Sequence, residues 1–307
     1  MPGHDQRAVT FVSNFFAADG RVDRLDAQDS ASIAGLFRDA SAGSALILGD
    51  TETVLAQMPA GVFQSCVTSP PYWSLRDYTT PGQIGGEESV FAYIDHLAKA
   101  FSEVRRVLKD DGTLWLNIGD SYTSGGRTWR AGDKKNPVRA MSVRPPTPAG
   151  LKPKDLIGVP WLLAFALQKE GWYLRADIIW NKPNCQPESV KDRPTRSHEY
   201  LFLFSKSEHY WYDAKAVRGP NGRNLRTVWD IRTRPYPEAH FATFPPALVD
   251  PCLQLGSKRG DLILDPFIGS GTTGLVALKL ERRFVGIELN PEYLQIADGR
   301  LNGDLIR

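Results

Sequence analysis

Thr68-Ser-Pro-Pro-Tyr-Trp73 directly follows a short apolar run, and its residue types suit chemistry on an amine attached to an aromatic ring. Such an amine is a poor nucleophile, because its lone pair is delocalised into the ring. Acceptors that hold its protons draw the lone pair back towards an electrophile. The Ser69 hydroxyl and the Pro70 carbonyl are two such acceptors. The paired prolines, Pro70 and Pro71, fix φ at about −65° and stiffen that carbonyl. Tyr72 offers a face on which a planar base can stack, and such a base must first be swung out of any duplex. Positioning, with no covalent enzyme intermediate, would then supply much of the acceleration. Taken alone, the same residues also suit a Ser-Pro-Pro turn ending a strand above a buried tyrosine.

Asp265-Pro-Phe-Ile-Gly-Ser-Gly-Thr-Thr273 joins a strand-like run to a helix-like one. Gly269 and Gly271 let the backbone turn tightly and approach a ligand at the strand's carboxyl end, where open α/β sheets bind ligands. Val285-Gly-Ile-Glu288 closes the next strand with a carboxylate placed to accept from both hydroxyls of a ribose. Gly269-Ser-Gly-Thr-Thr-Gly274 fits GxGxxG literally, so this loop alone does not separate a dinucleotide from S-adenosylmethionine. No Gly-Lys-Ser/Thr follows, which excludes a Walker loop.

The elements that must hold these clusters are legible by period. Strands are expected over 45–50, 63–68, 113–118, 173–180, 199–204, 262–265 and 284–288. Helices are expected from Thr51, over 90–108, with Asp110-Asp-Gly112 as the stop, and over 160–170, 245–255, 272–280 and 291–301. Strands alternating with helices argue for a parallel α/β sheet. Residues 1–43, with a candidate helix around 30–40, are expected as an N-terminal extension outside the core, and residues 44–307 as the catalytic domain.

The chain has 307 residues, 42% of them hydrophobic and 23% charged, values of an ordinary globular protein. No apolar run spans a bilayer and no secretory signal is evident. Cys66, Cys185 and Cys252 are far apart, with no CxxC pair, so a metal site or disulfide framework is not expected and a reducing cytoplasm fits. The net charge of +2 conceals an uneven distribution. Residues 121–240 hold 21 Lys and Arg against 11 Asp and Glu, while the remainder holds 16 against 24. A basic middle between acidic ends suggests a surface facing a polyanion.

With both clusters in one chain, residues 46–301 resemble the amino-methyltransferases of restriction-modification systems and phages, in the permuted order that puts the catalytic motif before the cofactor motif. The resemblance implies a Rossmann-like, mostly parallel seven-stranded sheet with one reversed strand and inserted basic target-recognition loops. It implies S-adenosyl-L-methionine as cofactor and double-stranded DNA as partner, with a cognate restriction endonuclease as a further candidate and a monomer or homodimer as the assembly. The setting would be the cytoplasm of a bacterial or phage-infected cell. Ser69, Pro70, Pro71 and Tyr72 fall on the catalytic tetrad. Asp265, Phe267, Gly269, Ser270, Gly271 and Thr272 fall on the cofactor's methionine-side loop, Glu288 on the ribose carboxylate and Asp50 at the adenine end. His240, Phe241 and Thr243 belong to a segment that closes over the cofactor. Trp73, Trp180 and Lys182 are expected to line the base pocket.

The commonest adenine-N6 pattern has Asp in the first tetrad position. Ser69 with a trailing Trp73 matches the pattern of cytosine N4, although a serine can accept from either amine. Cytosine C5 chemistry needs a cysteine nucleophile, and the one Pro-Cys pair, Pro251-Cys252, lies in an expected helix as a core residue. A protein-glutamine or RNA methyltransferase, or a catalytically dead DNA-binding protein, are the rivals from other classes. Two basic, irregular stretches, 121–153 and 205–236, are the candidates for DNA contact. Arg127, Arg130, Lys134, Lys135, Arg226, Arg232 and Arg234 are their candidate contacts, to phosphates or to guanine edges. His198 and Glu199, beside an apolar strand, are expected to serve structure rather than catalysis.

Overall fold

The computed structural model describes residues 22–38, 43–74, 80–123, 146–233 and 244–304. Strands and helices alternate through them: β1 (Val22–Asp26), α1 (Ser30–Gly35), β2 (Ser44–Leu48), α2 (Thr51–Ala56), β3 (Phe63–Thr68), α3 (Val90–Val107), β4 (Leu108–Ile118) and α4 (Val159–Lys169). The second half adds β5 (Tyr173–Asn181), β6 (His198–Ser205), β7 (Val228–Asp230), α5 (Pro246–Gly256), β8 (Leu262–Asp265), α6 (Thr272–Lys279), β9 (Arg283–Glu288) and α7 (Pro291–Asp304).

All nine strands form one sheet in the order β1-β2-β9-β8-β3-β4-β6-β5-β7. Every neighbouring pair is parallel except β4–β6 and β5–β6, so β6 is the reversed strand. The expected seven strands run from β2 to β5 in that order, and β1 and β7 extend the sheet at its two edges. Side chains alternate faces along each strand. Ala45, Ile47, Leu114, Leu116, Phe202 and Phe204 pack beneath α1 to α4. Leu46, Val67, Trp115, Leu201 and Leu203 pack beneath α5 to α7. Continuous apolar runs such as Leu201-Phe-Leu-Phe204 are thus explained: both faces of the sheet are covered.

Two expectations change. Residues 22–38 are not an extension outside the core: β1 pairs in register with β2, and Ile33 of α1 is fully buried. An edge strand needs only one hydrogen-bonding partner, so the polar Val22-Asp-Arg-Leu-Asp26 serves there without an apolar signature. The Asp110–Gly112 stretch does not separate α3 from its strand. β4 starts at Leu108, and its pairing with β3 jumps from Phe63↔Leu108 to Ser65↔Thr113 across a bulge. Among the described residues no helix is long and apolar enough to cross a membrane.

Candidate active site

The carboxyl ends of β2, β3, β4, β5, β8 and β9 open on one edge of the sheet, and the reversed strand β6 begins there. Ligands of α/β sheets bind outside these ends.

β8 ends at Asp265, which is 1% exposed. Its Oδ1 accepts from Thr68 Oγ1 (2.6 Å) and from the Phe267 N–H (3.1 Å). Burial pushes this carboxyl up to about 6, against hydrogen bonds that favour the charge. Thr273, near enough to favour that charge, directs its hydroxyl to Val67 O at 3.1 Å, and Asp265 Oδ2 stays buried without a hydrogen-bond donor. The loop that follows needs a left-handed backbone at Gly269 (φ +50°) and Gly271 (φ +82°). A Cβ on Gly271 would also press to 3.3 Å from Ala297 Cβ. Arg300 of α7 holds the loop by donating to Ser270 O (3.1 Å) and Thr272 Oγ1 (3.0 Å).

Glu288 ends β9. Its Oε2 accepts from the Gly269 N–H (3.0 Å) and its Oε1 from the Asn290 N–H (2.9 Å). The residue keeps some solvent access, yet enclosure by the surrounding loops raises its carboxyl to about 7. Asp50 lies alongside, since Gly49 N–H donates to Glu288 O at 2.9 Å. Its Oδ1 caps α2 by accepting from Thr53 N–H and Oγ1, both at 2.9 Å. This cradle fits S-adenosylmethionine. Glu288 would accept from the ribose hydroxyls, and the unsatisfied Asp265 oxygen suits the ammonium of the methionine end.

The tetrad leaves β3 beside this cradle, tied to it by the Thr68–Asp265 hydrogen bond. Ser69 and Tyr72 are half-buried and Pro70 is buried. Tyr93 of α3 donates its hydroxyl to Pro71 O at 2.7 Å, and Ser74 N–H donates to Gly85 O at 2.8 Å, which fixes the turn. The Tyr72 hydroxyl donates to Glu199 Oε2 at 2.9 Å and lies 3.4 Å from Ser69 Oγ. Asn117 of β4 donates from Nδ2 to the same Glu199 oxygen (3.2 Å), and Lys182 pairs with Glu199 Oε1. Burial, with Glu199 adjacent, raises the Tyr72 phenol well above its usual range, so it stays neutral.

Glu199, expected to serve structure rather than catalysis, holds the Tyr72 hydroxyl, Asn117 and Lys182 beside the tetrad. Asn117 was not expected; its one local signal is a polar residue interrupting the apolar end of a strand, Leu114-Trp-Leu-Asn-Ile118. Trp73 and Trp180, expected along the base pocket, are both buried. Trp73 (6% exposed) donates from Nε1 to Glu87 O, and Trp180 (3%) to Ile231 O, so both indoles are held in the packed core. Lys182 does reach the site, its ammonium 4.1 Å above the Trp180 ring. Cys252 is buried, donates to Leu248 O at 3.1 Å, and has its thiol pushed up by burial, which leaves no nucleophile for C5 chemistry there.

Of the DNA-contact candidates, Arg226 and Arg232 are exposed. They flank β7, which pairs with β5 at Ile179, Trp180 and Asn181 and so turns part of the expected irregular stretch into a sheet edge. Asn181 Nδ2 donates to Asp230 Oδ1 at 2.7 Å across that edge. On the two sides of residues 124–145, which lie outside the described residues, Tyr122 bridges Leu156 and Asp120 Oδ1 accepts from the N–H groups of Gly158 and Val159, both at 2.9 Å. Arg127, Arg130, Lys134, Lys135, Arg234, His240, Phe241 and Thr243 lie outside the described residues.

A cofactor cradle and an acceptor-bearing tetrad on adjoining strands define a Rossmann-like transferase working on an amine. The chain belongs to the N6/N4 DNA methylase family, which matches it over residues 63–299. It is 60% identical over 266 residues to the type II methyltransferase M.Cfr9I of Citrobacter freundii, covering 85% of this chain and 89% of that one. It is 61% identical over 262 residues to the type II methyltransferase M.SmaI of Serratia marcescens, covering 83% and 90%. Among solved structures, TTHA0409 of Thermus thermophilus, complexed with S-adenosyl-L-methionine, aligns with TM-score 0.61 and 25% identity over 92% of this chain and 96% of that one. The PvuII DNA methyltransferase (cytosine-N4-specific) shares the fold, with TM-score 0.65 and 21% identity over 86% and 92%.

Proposed function

We propose that this DNA methyltransferase transfers the methyl group of S-adenosylmethionine to the N4 amine of cytosine in double-stranded DNA, on a nucleotide swung out of the helix. One observation carries the reading: Thr68 Oγ1 on Asp265 Oδ1 at 2.6 Å sets the Ser69–Pro70 acceptors beside the cofactor cradle. The bound cofactor supplies an electrophilic methyl on a sulfonium. Ser69 Oγ and Pro70 O hold the amine's protons and turn its lone pair outward, while Tyr72 stacks on the base. The preference for cytosine rests on Ser69 in the tetrad's first position, where the commonest adenine pattern has Asp.

The segment around β7, with Arg226 and Arg232 exposed on the edge next to Lys182, would lie against the DNA. The type II methyltransferases that the chain resembles support a role in a restriction-modification system, protecting DNA from a partner endonuclease. The test is nucleoside mass spectrometry of DNA from cells expressing the protein beside a Ser69→Ala control. N4-methylcytosine in the wild type alone is the expected result. N6-methyladenine would overturn the base assignment and keep the mechanism; neither mark would overturn the proposed activity in those cells.

A further inference from the structure

The target amine must meet a lone pair of Ser69, not its proton. A hydroxyl carries both, and the one it presents depends on where its hydrogen is directed. Side chains from four places converge to decide this. Glu199, at the start of β6, accepts from the Tyr72 hydroxyl (2.9 Å) and from Asn117 Nδ2 (3.2 Å). Lys182, past the end of β5, neutralises its other oxygen. Asn117 Nδ2 also donates to Tyr200 O at 3.1 Å, which fixes the amide with its nitrogen towards Glu199.

A carboxylate paired with an ammonium accepts and does not donate, so the Tyr72 proton is committed to Glu199. The alternative acceptor, Asn117 Oδ1, is 3.5 Å away and uncharged, and it loses to the shorter charge-assisted bond. Towards Ser69, Tyr72 then presents only oxygen lone pairs. The remaining link is Ser69 Oγ donating to Tyr72 at 3.4 Å, long for two hydroxyls but with its direction fixed. The ring cannot drift from this alignment towards β4. A Cβ on Gly119 would stand only 2.8 Å from Tyr72 Cε2, so the backbone lies against the ring there.

We propose that Glu199, balanced by Lys182, sets the polarity of the hydrogen-bond chain Ser69–Tyr72–Glu199 and thereby leaves the Ser69 lone pairs to receive the target amine. Glu199 acts through Tyr72 and is a positioning residue. The proposal rests on the amine-methylation reading above. It gives a role to the carboxylate that precedes the apolar run of β6 and to the lysine paired with it.

The experiment is single-turnover methylation of DNA by the full chain, with cofactor affinity measured in parallel. Tyr72→Phe keeps the stacking face and removes only the hydroxyl, so it avoids exposing a buried charge. It is expected to slow transfer about tenfold, the worth of one charge-assisted hydrogen bond, with cofactor affinity within about twofold. Glu199→Gln, whose amide can present donor or acceptor, is expected to give a similar loss. The double variant is expected to be no slower than either single one, because both break the same chain. Transfer by Tyr72→Phe at the wild-type rate, or losses that multiply in the double variant, would overturn the proposal. Wild-type protein that leaves DNA unmethylated would overturn the functional reading itself, and the proposal with it.

Discussion

Thr68 and Asp265, on neighbouring parallel strands, share a hydrogen bond of 2.6 Å between side chains that are both 1% exposed. The bond joins the last residue before the tetrad to the first residue of the cofactor loop. Thr68→Val keeps the shape and deletes the donor to a buried carboxylate. The change is expected to cost about 1–3 kcal/mol of stability, measured by denaturant unfolding, because the acceptor is left short of a partner. A variant within about 0.5 kcal/mol of wild type would mean that the bond contributes nothing measurable.

Cofactor affinity should depend on pH through Glu288. Its carboxyl is raised to about 7 without ligand, and that of Asp265 to about 6. Raised carboxyls stabilise the ligand-free fold fully below their ordinary range, and this contribution is lost as pH climbs through 6 and 7. Ribose hydroxyls donate best to the ionised form, so binding should tighten over the same interval. Titration calorimetry is expected to give a dissociation constant about tenfold weaker at pH ~6 than at pH ~8, and Glu288→Gln should bind weakly with a flatter profile. A flat wild-type profile would remove Glu288 from the ribose site.

Gly119 has no space for a side chain: a Cβ would meet Tyr72 Cε2 at 2.8 Å and Glu199 Cδ at 3.4 Å. Gly119→Ala is expected to displace the Tyr72 ring and lower the transfer rate between about tenfold and a hundredfold, with cofactor affinity retained. Retention of the full rate would show that the ring's position is not critical.

Arg226 and Arg232 are exposed on the β7 edge. If they face phosphates, alanine at either position should weaken DNA binding evenly across sequences and reduce the logarithmic salt dependence by about one unit. An unchanged slope in both variants would move the DNA surface elsewhere.

Much of this fold is legible in the sequence, because both faces of the sheet's centre are covered and strands such as β2, β6 and β8 carry bounded apolar runs. Phe63–Thr68 and Leu262–Asp265 appear with the bounds expected of them. β1 and β7 are not legible: one has three charged residues in five, the other is three residues long, and both owe their existence to a neighbour already in place. The same division runs through the site. Ser69, Asp265 and Glu288 announce themselves by local motif. Asn117 and Glu199 matter because three strand ends meet, which no spacing along the chain encodes; Lys182, named by the resemblance, meets them there. Trp73 and Trp180 show what a motif leaves unsaid: each indole N–H donates to a backbone carbonyl and each ring is packed in the core, which spacing along the chain does not encode.

β1 is held from beyond the sheet by the last helix. Val22 N–H donates to Asn302 Oδ1 at 3.2 Å, and Asn302 Nδ2 lies 3.5 Å from Val22 O, across 280 positions of sequence. Residues so distant along the polypeptide are thus spatial neighbours, and a short link from α7 to β1 would close residues 22–304 into a ring. On such a ring the order of tetrad and cofactor loop has no meaning until the ring is opened. The arrangement of motifs along a chain of this fold then records where it was cut, and the cleft is indifferent to the choice.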